Sequence, residues 1–296
     1  MATDAEVETR RGDETGAPAK RAKHASPAAG FSEESATIYE YSSAANPDMT
    51  PVPVLAHPPE LHQSGATRII PFDLRAQLGV DYMATSPNLL ASYLRIIAGE
   101  TLETGARATS QAFYVISGRG TSRSAEHGEV AWAAGDLFVI PASDEAMLHI
   151  AEETAAIYHV SDEPLLRYLG VSATERRFRP TLFKKERMLA EVEQLRHEPG
   201  AEHRNRLGIL LGNETTHDTT KTLTHTLWSL LNVLPAGDAQ RPHRHNSVAL
   251  DLAVSAAPEG VYTLMGPELG ADGWVKDPVR VDWRGGGGVV TPPGRG

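Results

Sequence analysis

At 296 residues, with 41% hydrophobic and 22% charged residues, the chain has a globular composition and room for two domains. A formal net charge of −10 argues against a phosphate backbone as the main partner, and the absence of cysteine excludes disulfides and Cys-based zinc sites. No apolar run approaches ~18 residues and the first residues are charged, so no membrane helix, no secretory leader and a cytoplasmic location are expected.

Residues 1–36 mix charges with Ala, Gly, Pro and Ser and show no apolar period, which predicts a disordered tail. Within it PAKRAKH has the look of a nuclear-import patch, although a short basic stretch in a tail is more often simply solvated. Residues 37–65 are Pro-rich and predict an irregular arm. Residues 66–180 hold short runs such as LLASYLRIIAG, QAFYVISGRG and DLFVIPAS, β-branched or aromatic and punctuated by Gly, Pro and Ser, which predict an antiparallel barrel or sandwich. Residues 181–204 differ: Met188, Val192 and Leu195 recur at helical spacing and predict a connecting helix. Strand-like runs return over 205–296.

The stretch GDAQRPHRHNSVALDLAV, Gly237 to Val254, carries the chemistry. His243 and His245 are two apart, a spacing that puts both on one face of a strand. Two neutral imidazoles on one rigid face form half of a first-row transition-metal site. Taken alone, His-Arg-His would read as an exposed basic tripeptide. Asp251 shares the parity of the two histidines and is a candidate carboxylate in the same place.

An internal repeat supports the stronger reading. With Gly99 set on Gly237, Gly105 and Arg107 fall on His243 and His245, and Gln111 falls on Ala249. Trp132-x-x-Gly135-x5-Pro141 then matches Trp283-x-x-Gly286-x5-Pro292. Gly105 has no side chain and Arg107 stays protonated, so the first copy has lost its ligand positions. His149 near a strand end reads as a satisfied polar residue rather than a ligand.

The spacing Gly237, His243, His245 and the later Gly286, Pro292, Gly294 resemble the two sequence motifs of the cupin superfamily. TLWSLLNVLPAG followed by PHRHNSVAL, with Trp228 upstream of the pair, is similar to the gentisate 1,2-dioxygenase group of bicupins. The resemblance runs from about Tyr82 to the end and implies an all-β fold of two tandem jelly-roll-like cupin barrels joined by a short helix. It also implies a non-haem Fe(II) ring-cleaving dioxygenase that takes O2 and a hydroxylated aromatic acid or similar small molecule. His243 and His245 are its metal ligands, and a homo-oligomer is implied as well. The pattern Pro-x-Gly-x-x-His, begun at Pro292, places a third histidine one residue past Gly296, so the second barrel is expected to be incomplete and the chain a fragment. In that group an arginine six residues after the second histidine meets the substrate carboxylate, whereas this chain has Asp251. Arg241 and Arg244 are candidate replacements, and Trp228 is a candidate stacking surface for an aromatic ring. Tyr262 and His225 lie nearby with open roles. Two other functions stay open: a non-catalytic bicupin that binds a small molecule or serves as a scaffold, and a cupin isomerase or decarboxylase that needs no O2.

Overall fold

The computed structural model describes residues 30–45, 51–201 and 206–294, so most of the tail, its basic patch included, lies outside the described residues. The chain divides into two units near Asp48. In the first, Glu33–Ser35 form a 3-10 turn and Tyr41–Ala44 a single helical turn, whose Ser42 and Ser43 N–H groups donate to the Glu40 carboxylate at 2.9 and 2.8 Å. Acceptance of two orphan N–H groups is what a capping carboxylate offers a helix start.

The second unit is built from antiparallel strands. They are β1 (Leu55–His57), β2 (Arg68–Pro71), β3 (Leu90–Ile96), β4 (Thr101–Thr104), β5 (Ser110–Ser117), β6 (Arg119–Ser124), β7 (Gly128–Ala133) and β8 (Leu137–Pro141). β9 (Met147–Ala151), β10 (Ala155–Ser161) and β11 (Thr181–Phe183) follow, then β12 (Leu207–Leu210), β13 (Leu230–Val233), β14 (Ala249–Leu252), β15 (Tyr262–Met265), β16 (Val279–Asp282) and β17 (Gly288–Thr291). The longest helix, Lys185–Arg196, buries Met188 and Val192 between the two repeats in sequence. No helix among the described residues is long and apolar enough to cross a membrane.

The first repeat forms two facing sheets, β11-β8-β5-β10-β3-β2 and β4-β9-β6-β7. Between them lies a core of Leu94, Ile96, Phe113, Val115, Trp132, Phe138, Ile140, Met147 and Ile157, drawn from both sheets. Alternate residues of a strand point to opposite faces, and the β-branched and aromatic members of β3, β5, β8 and β10 therefore supply one continuous inner wall.

The repeat seen in the sequence is a repeat of hydrogen bonds. Gln111 pairs with Ile140 across β5 and β8, and Ala249 pairs with Thr291 across β14 and β17. Gly135 N–H donates to Val115 O and Gly286 N–H to Ala253 O, each at 2.7 Å. These two glycines have φ of +95° and +81°, a backbone that L side chains avoid, which is why glycine recurs there. The tryptophans match as well: Trp132 Nε1 donates to Ser122 Oγ and Trp283 Nε1 to Thr263 Oγ1, both at 2.7 Å.

The second repeat is open. Its strands make the groups β1-β17-β14, β12-β13 and β15-β16. Among the described residues no strand holds the place between β14 and β13 that β10 holds between β5 and β3.

Each repeat also borrows an edge strand from the segment ahead of the other. β11 precedes the second repeat and pairs with β8 of the first, while β1 precedes the first and pairs with β17 of the second. The Pro-rich stretch 37–65 is therefore not irregular throughout, since it holds β1 and the helical turn Glu60–Gln63. No local period marks Leu55–His57; the strand exists because the β17 edge supplies its partner. Side chains fix it further: the His57 ring stacks on Phe72 at 3.6 Å, Tyr93 Oη donates to His57 O at 2.7 Å, and His62 Nε2 lies 3.0 Å from Gly286 O.

Candidate metal site

His243 and His245 do not lie on a strand. They occupy an irregular segment that leads into β14, and regular pairing begins only at Ala249. Asn246, Ser247 and Val248 separate the pair from the ladder, with a bend at Asn246 and Ser247. The segment is still anchored, because Gly294 N–H donates to His245 O at 2.9 Å. Both histidines are half-buried and Arg244 between them is exposed, so the two rings share a side as a strand would have placed them.

The rings converge. His243 Nε2 and His245 Nε2 are 3.0 Å apart, with ring centroids 4.8 Å apart and planes inclined at 50°. Arg206 Nη2 lies 3.1 Å from the same His243 Nε2. A guanidinium only donates, so His243 Nε2 carries a lone pair here and its proton sits on Nδ1, on the side of its backbone hydrogen bond with Arg241. Burial, then the Arg206 charge, holds the His243 pKa below its ordinary value and keeps the ring neutral.

Asp251 sits on β14 and accepts a hydrogen bond at Oδ2 from Thr291 Oγ1 at 3.0 Å. Burial pushes its carboxyl pKa up, opposed first by the Thr291 hydrogen bond and then by the electrostatic influence of the neighbouring His245, His243 and Arg206. Asp251 therefore shares the electrostatic neighbourhood of the pair without joining it as a ligand. Among the described residues no group of three or more His, Asp or Glu side chains is arranged to hold a metal ion.

The other predicted residues are dispersed. Arg244 is exposed and donates through Nη2 to Pro267 O at 3.1 Å, while Arg241 is exposed and contributes its backbone to His243. Trp228 is 56% exposed, so it is not a core tryptophan. Tyr262 lies under the Arg280 guanidinium, 4.0 Å from ring centroid to Cζ, and His225 Nε2 is 3.0 Å from Thr109 Oγ1. The residue that sequence reasoning missed is Arg206, far upstream of the motif at the head of β12. Its only mark in the sequence is a lone cation ahead of the apolar run LGILL.

At the matching place in the first repeat, Gly105 and Arg107 are both exposed, and the apolar core encloses buried polar groups that satisfy one another. Trp132 Nε1 donates to Ser122 Oγ, which lies 2.7 Å from His149 Nδ1, and His149 Nε2 lies 2.9 Å from Thr104 Oγ1. His159 Nε2 lies 3.1 Å from Gln111 Oε1 and its ring stacks on Phe113. Burial pushes His149 down to about 3 and His159 down to about 4.

One antiparallel strand plan occurs twice in tandem, as two facing sheets in the first repeat and in open form in the second, with interlocked edge strands. Among solved structures the chain is similar to salicylate 1,2-dioxygenase from Pseudoaminobacter salicylatoxidans in its adducts with gentisate. That match has a TM-score of 0.51 and 15% identity, and covers 87% of this chain and 82% of that one. It is also similar to a cupin 2 conserved barrel domain protein from Leptotrichia buccalis, with a TM-score of 0.48, 15% identity and coverage of 80% and 84%. Against two other structures of the dioxygenase the chain spans about a third of that protein's length, 34% and 33%. No family model and no curated protein matches the chain. The chain thus has the cupin fold and resembles the salicylate- and gentisate-type dioxygenases in it.

Proposed function

We propose that the second repeat holds Fe(II) through His243 and His245 and acts with O2 on a hydroxylated aromatic acid or a similar small hydroxy-carboxylate. The observation that carries this reading is the 3.0 Å separation of the two Nε2 atoms. Metal–imidazole bonds of ~2.1 Å at a right angle give an N···N edge of about 3.0 Å, and a tetrahedral angle gives about 3.4 Å. The pair therefore fits two adjacent octahedral positions. The reading calls for a third imidazole, which none of the described residues supplies. Iron(II) held by nitrogens alone would supply open positions for a bidentate substrate and O2 in contact with each other. The chain's own contribution is to keep His243 neutral through burial, while its hydrogen bond to the Arg241 backbone leaves Nε2 facing His245. Asp251 adds a carboxyl group that disfavours a bare anion on its side of the site.

The test is anaerobic loading of the full chain with Fe(II), metal analysis, and oxygen uptake with salicylate, gentisate and related hydroxybenzoates. Near-stoichiometric iron and substrate-dependent oxygen uptake are expected; no more than trace iron ends the proposal. A second reading, a non-catalytic binder or scaffold, is favoured by the open second repeat and by Asp251. It predicts metal uptake without turnover on any member of the panel.

A further inference from the structure

We infer that β1 is an acid-released strap: while the His57 imidazole is neutral it latches β1 onto β17, and its protonation lets residues 54–60 lift away with the first repeat still folded. The latch is a ring contact more than a ladder. β1 meets β17 over Leu55–His57 alone, and Leu55 and Ala56 are exposed. Val54 adds an apolar contact with the cluster of Met265, Val281 and Val289. The His57 ring lies flat on Phe72, 3.6 Å between centroids and 5° between planes, with Nδ1 buried and without a hydrogen-bond partner. β17 comes this close only because Gly288 has no side chain: a Cβ there would stand 2.9 Å from the Phe72 ring and 3.2 Å from Tyr93 Oη. The turn that follows β1 is pinned by groups that stay charged, since Arg68 Nη2 donates to Leu61 O and Arg95 Nη1 to His62 O, both at 2.8 Å. That turn is the hinge. Beside it a cavity of about 420 Å³ between Arg95, Ile116, Thr154 and Gly286 leaves room to tilt. A short ladder on an exposed edge is the kind of segment that opens locally, ahead of the core.

Protonation breaks this latch for want of an acceptor. A charged imidazole carries N–H on both ring nitrogens, and His57 Nδ1 would hold its proton in a buried place with nothing to receive it. The neighbours do not supply one. β3 presents Tyr93 and β10 presents Tyr158, whose hydroxyls burial raises so that they stay neutral, and Asp251 of β14 acts on Tyr158 and not on His57. At the hinge His62 gives its Nε2 proton to Gly286 O at 3.0 Å and faces Arg95, while Glu60 is ion-paired with Arg284. Only the Phe72 face favours a cation, and it offsets a part of the cost. Burial accordingly pushes His57 down to about 4, from an ordinary value near 6.5. A value lower in the closed strap than in the released one means that the latch is at full strength above ~6.5 and weakens as pH falls. Lifting leaves β17 paired with β14 alone, and Gly294, just past β17, is what holds the His245 carbonyl.

The experiment is amide hydrogen exchange of the full chain by mass spectrometry at pH 7 and pH 5, each rate divided by its intrinsic rate at that pH, on wild type, His57→Phe and His159→Gln. In wild type, protection over residues 54–60 is expected to lie below that over β10. It should fall by about twentyfold between the two pH values, the shift that one histidine moving from about 4 to about 6.5 on release gives. His57→Phe keeps the stack on Phe72 and takes up no proton, so the fall there shrinks to about threefold or less. His159→Gln leaves the strap's response as in wild type, because that ring sits inside the first repeat. Protection over residues 54–60 equal to that over β10 at both pH values means that β1 opens only with the whole fold, and overturns the inference. So does a strap protection that does not change with pH, a fall retained in His57→Phe, or a fall lost in His159→Gln. Should His57→Phe fail to fold, wild type decides alone: local, pH-dependent opening supports the strap, and either of the first two results overturns it.

Discussion

The two repeats share a register and differ in what they do with histidine. In the first, His149 and His159 are shut inside the barrel, and each has its ring nitrogen held by a neutral hydroxyl or amide. In the second, His243 and His245 stand half-buried ahead of β14, with their Nε2 atoms close to each other and that of His243 close to a guanidinium. A satisfied imidazole in a dry core has nothing left to offer a metal. The second-repeat pair instead faces a guanidinium, with Asp251 in electrostatic reach. One backbone plan thus gives a sealed scaffold and an open site, depending on whether hydroxyls such as Ser122 and Thr104 are within reach.

The largest consequence is for acid stability. His149 and His159 have pKa values of about 3 and about 4 when folded, while an unfolded chain titrates near 6.5. Above ~6.5 both states are neutral and the two residues contribute no pH dependence. Below it the unfolded chain takes up protons that the folded chain refuses, so stability falls as pH falls, by about 1.4 kcal/mol per pH unit for each histidine until its folded pKa is reached. Denaturant melts between pH 6.5 and 4.5 are expected to show this loss, to which His57, held at about 4 by burial, adds, and His159→Gln should lower the slope by about 1.4 kcal/mol per pH unit. A slope indifferent to that substitution would mean the buried pair does not govern acid unfolding. Next in size is His243→Ala. It removes one of the two convergent nitrogens and should lower Co(II) affinity by about a hundredfold or more, or about 2.7 kcal/mol, with the circular dichroism spectrum unchanged. The same substitution at His149 should instead lower thermal stability and leave metal uptake alone.

Much of the fold was legible because a few residues have no substitutes. Gly135 and Gly286 require positive φ, and each repeat's tryptophan needs a hydroxyl on the neighbouring hairpin strand, so Trp-x-x-Gly-x5-Pro carries geometry as well as composition. β1 was not legible, because Leu55–His57 becomes a strand only through the edge of β17, more than two hundred residues later in the chain. The histidine spacing predicted the right side for both rings but the wrong element, since the chain bends at Asn246 and Ser247 and pairing starts only at Ala249. Arg206 escaped notice for a related reason. Nothing local distinguishes it, and its role comes from a contact closed by the tertiary fold.

The smallest effect separates the repeats by burial alone. Trp132 and Trp283 occupy matching positions and each donates one indole N–H at 2.7 Å, yet Trp132 is only 2% exposed while Trp283 is half-buried. Replacement by Phe removes a donor and little apolar surface from both. In the first repeat the lost donor removes one of the two hydrogen bonds of Ser122 Oγ, which is fully buried, and leaves it the His149 contact. A buried polar atom left unsatisfied costs about 1–3 kcal/mol. In the second repeat water can replace the indole at Thr263, so the change should stay within about 0.5–1 kcal/mol. Trp132→Phe is therefore expected to lower Tm by several degrees more than Trp283→Phe. Equal losses would mean that the two tryptophans are buried alike in solution and that the second repeat is as closed around its hairpin as the first.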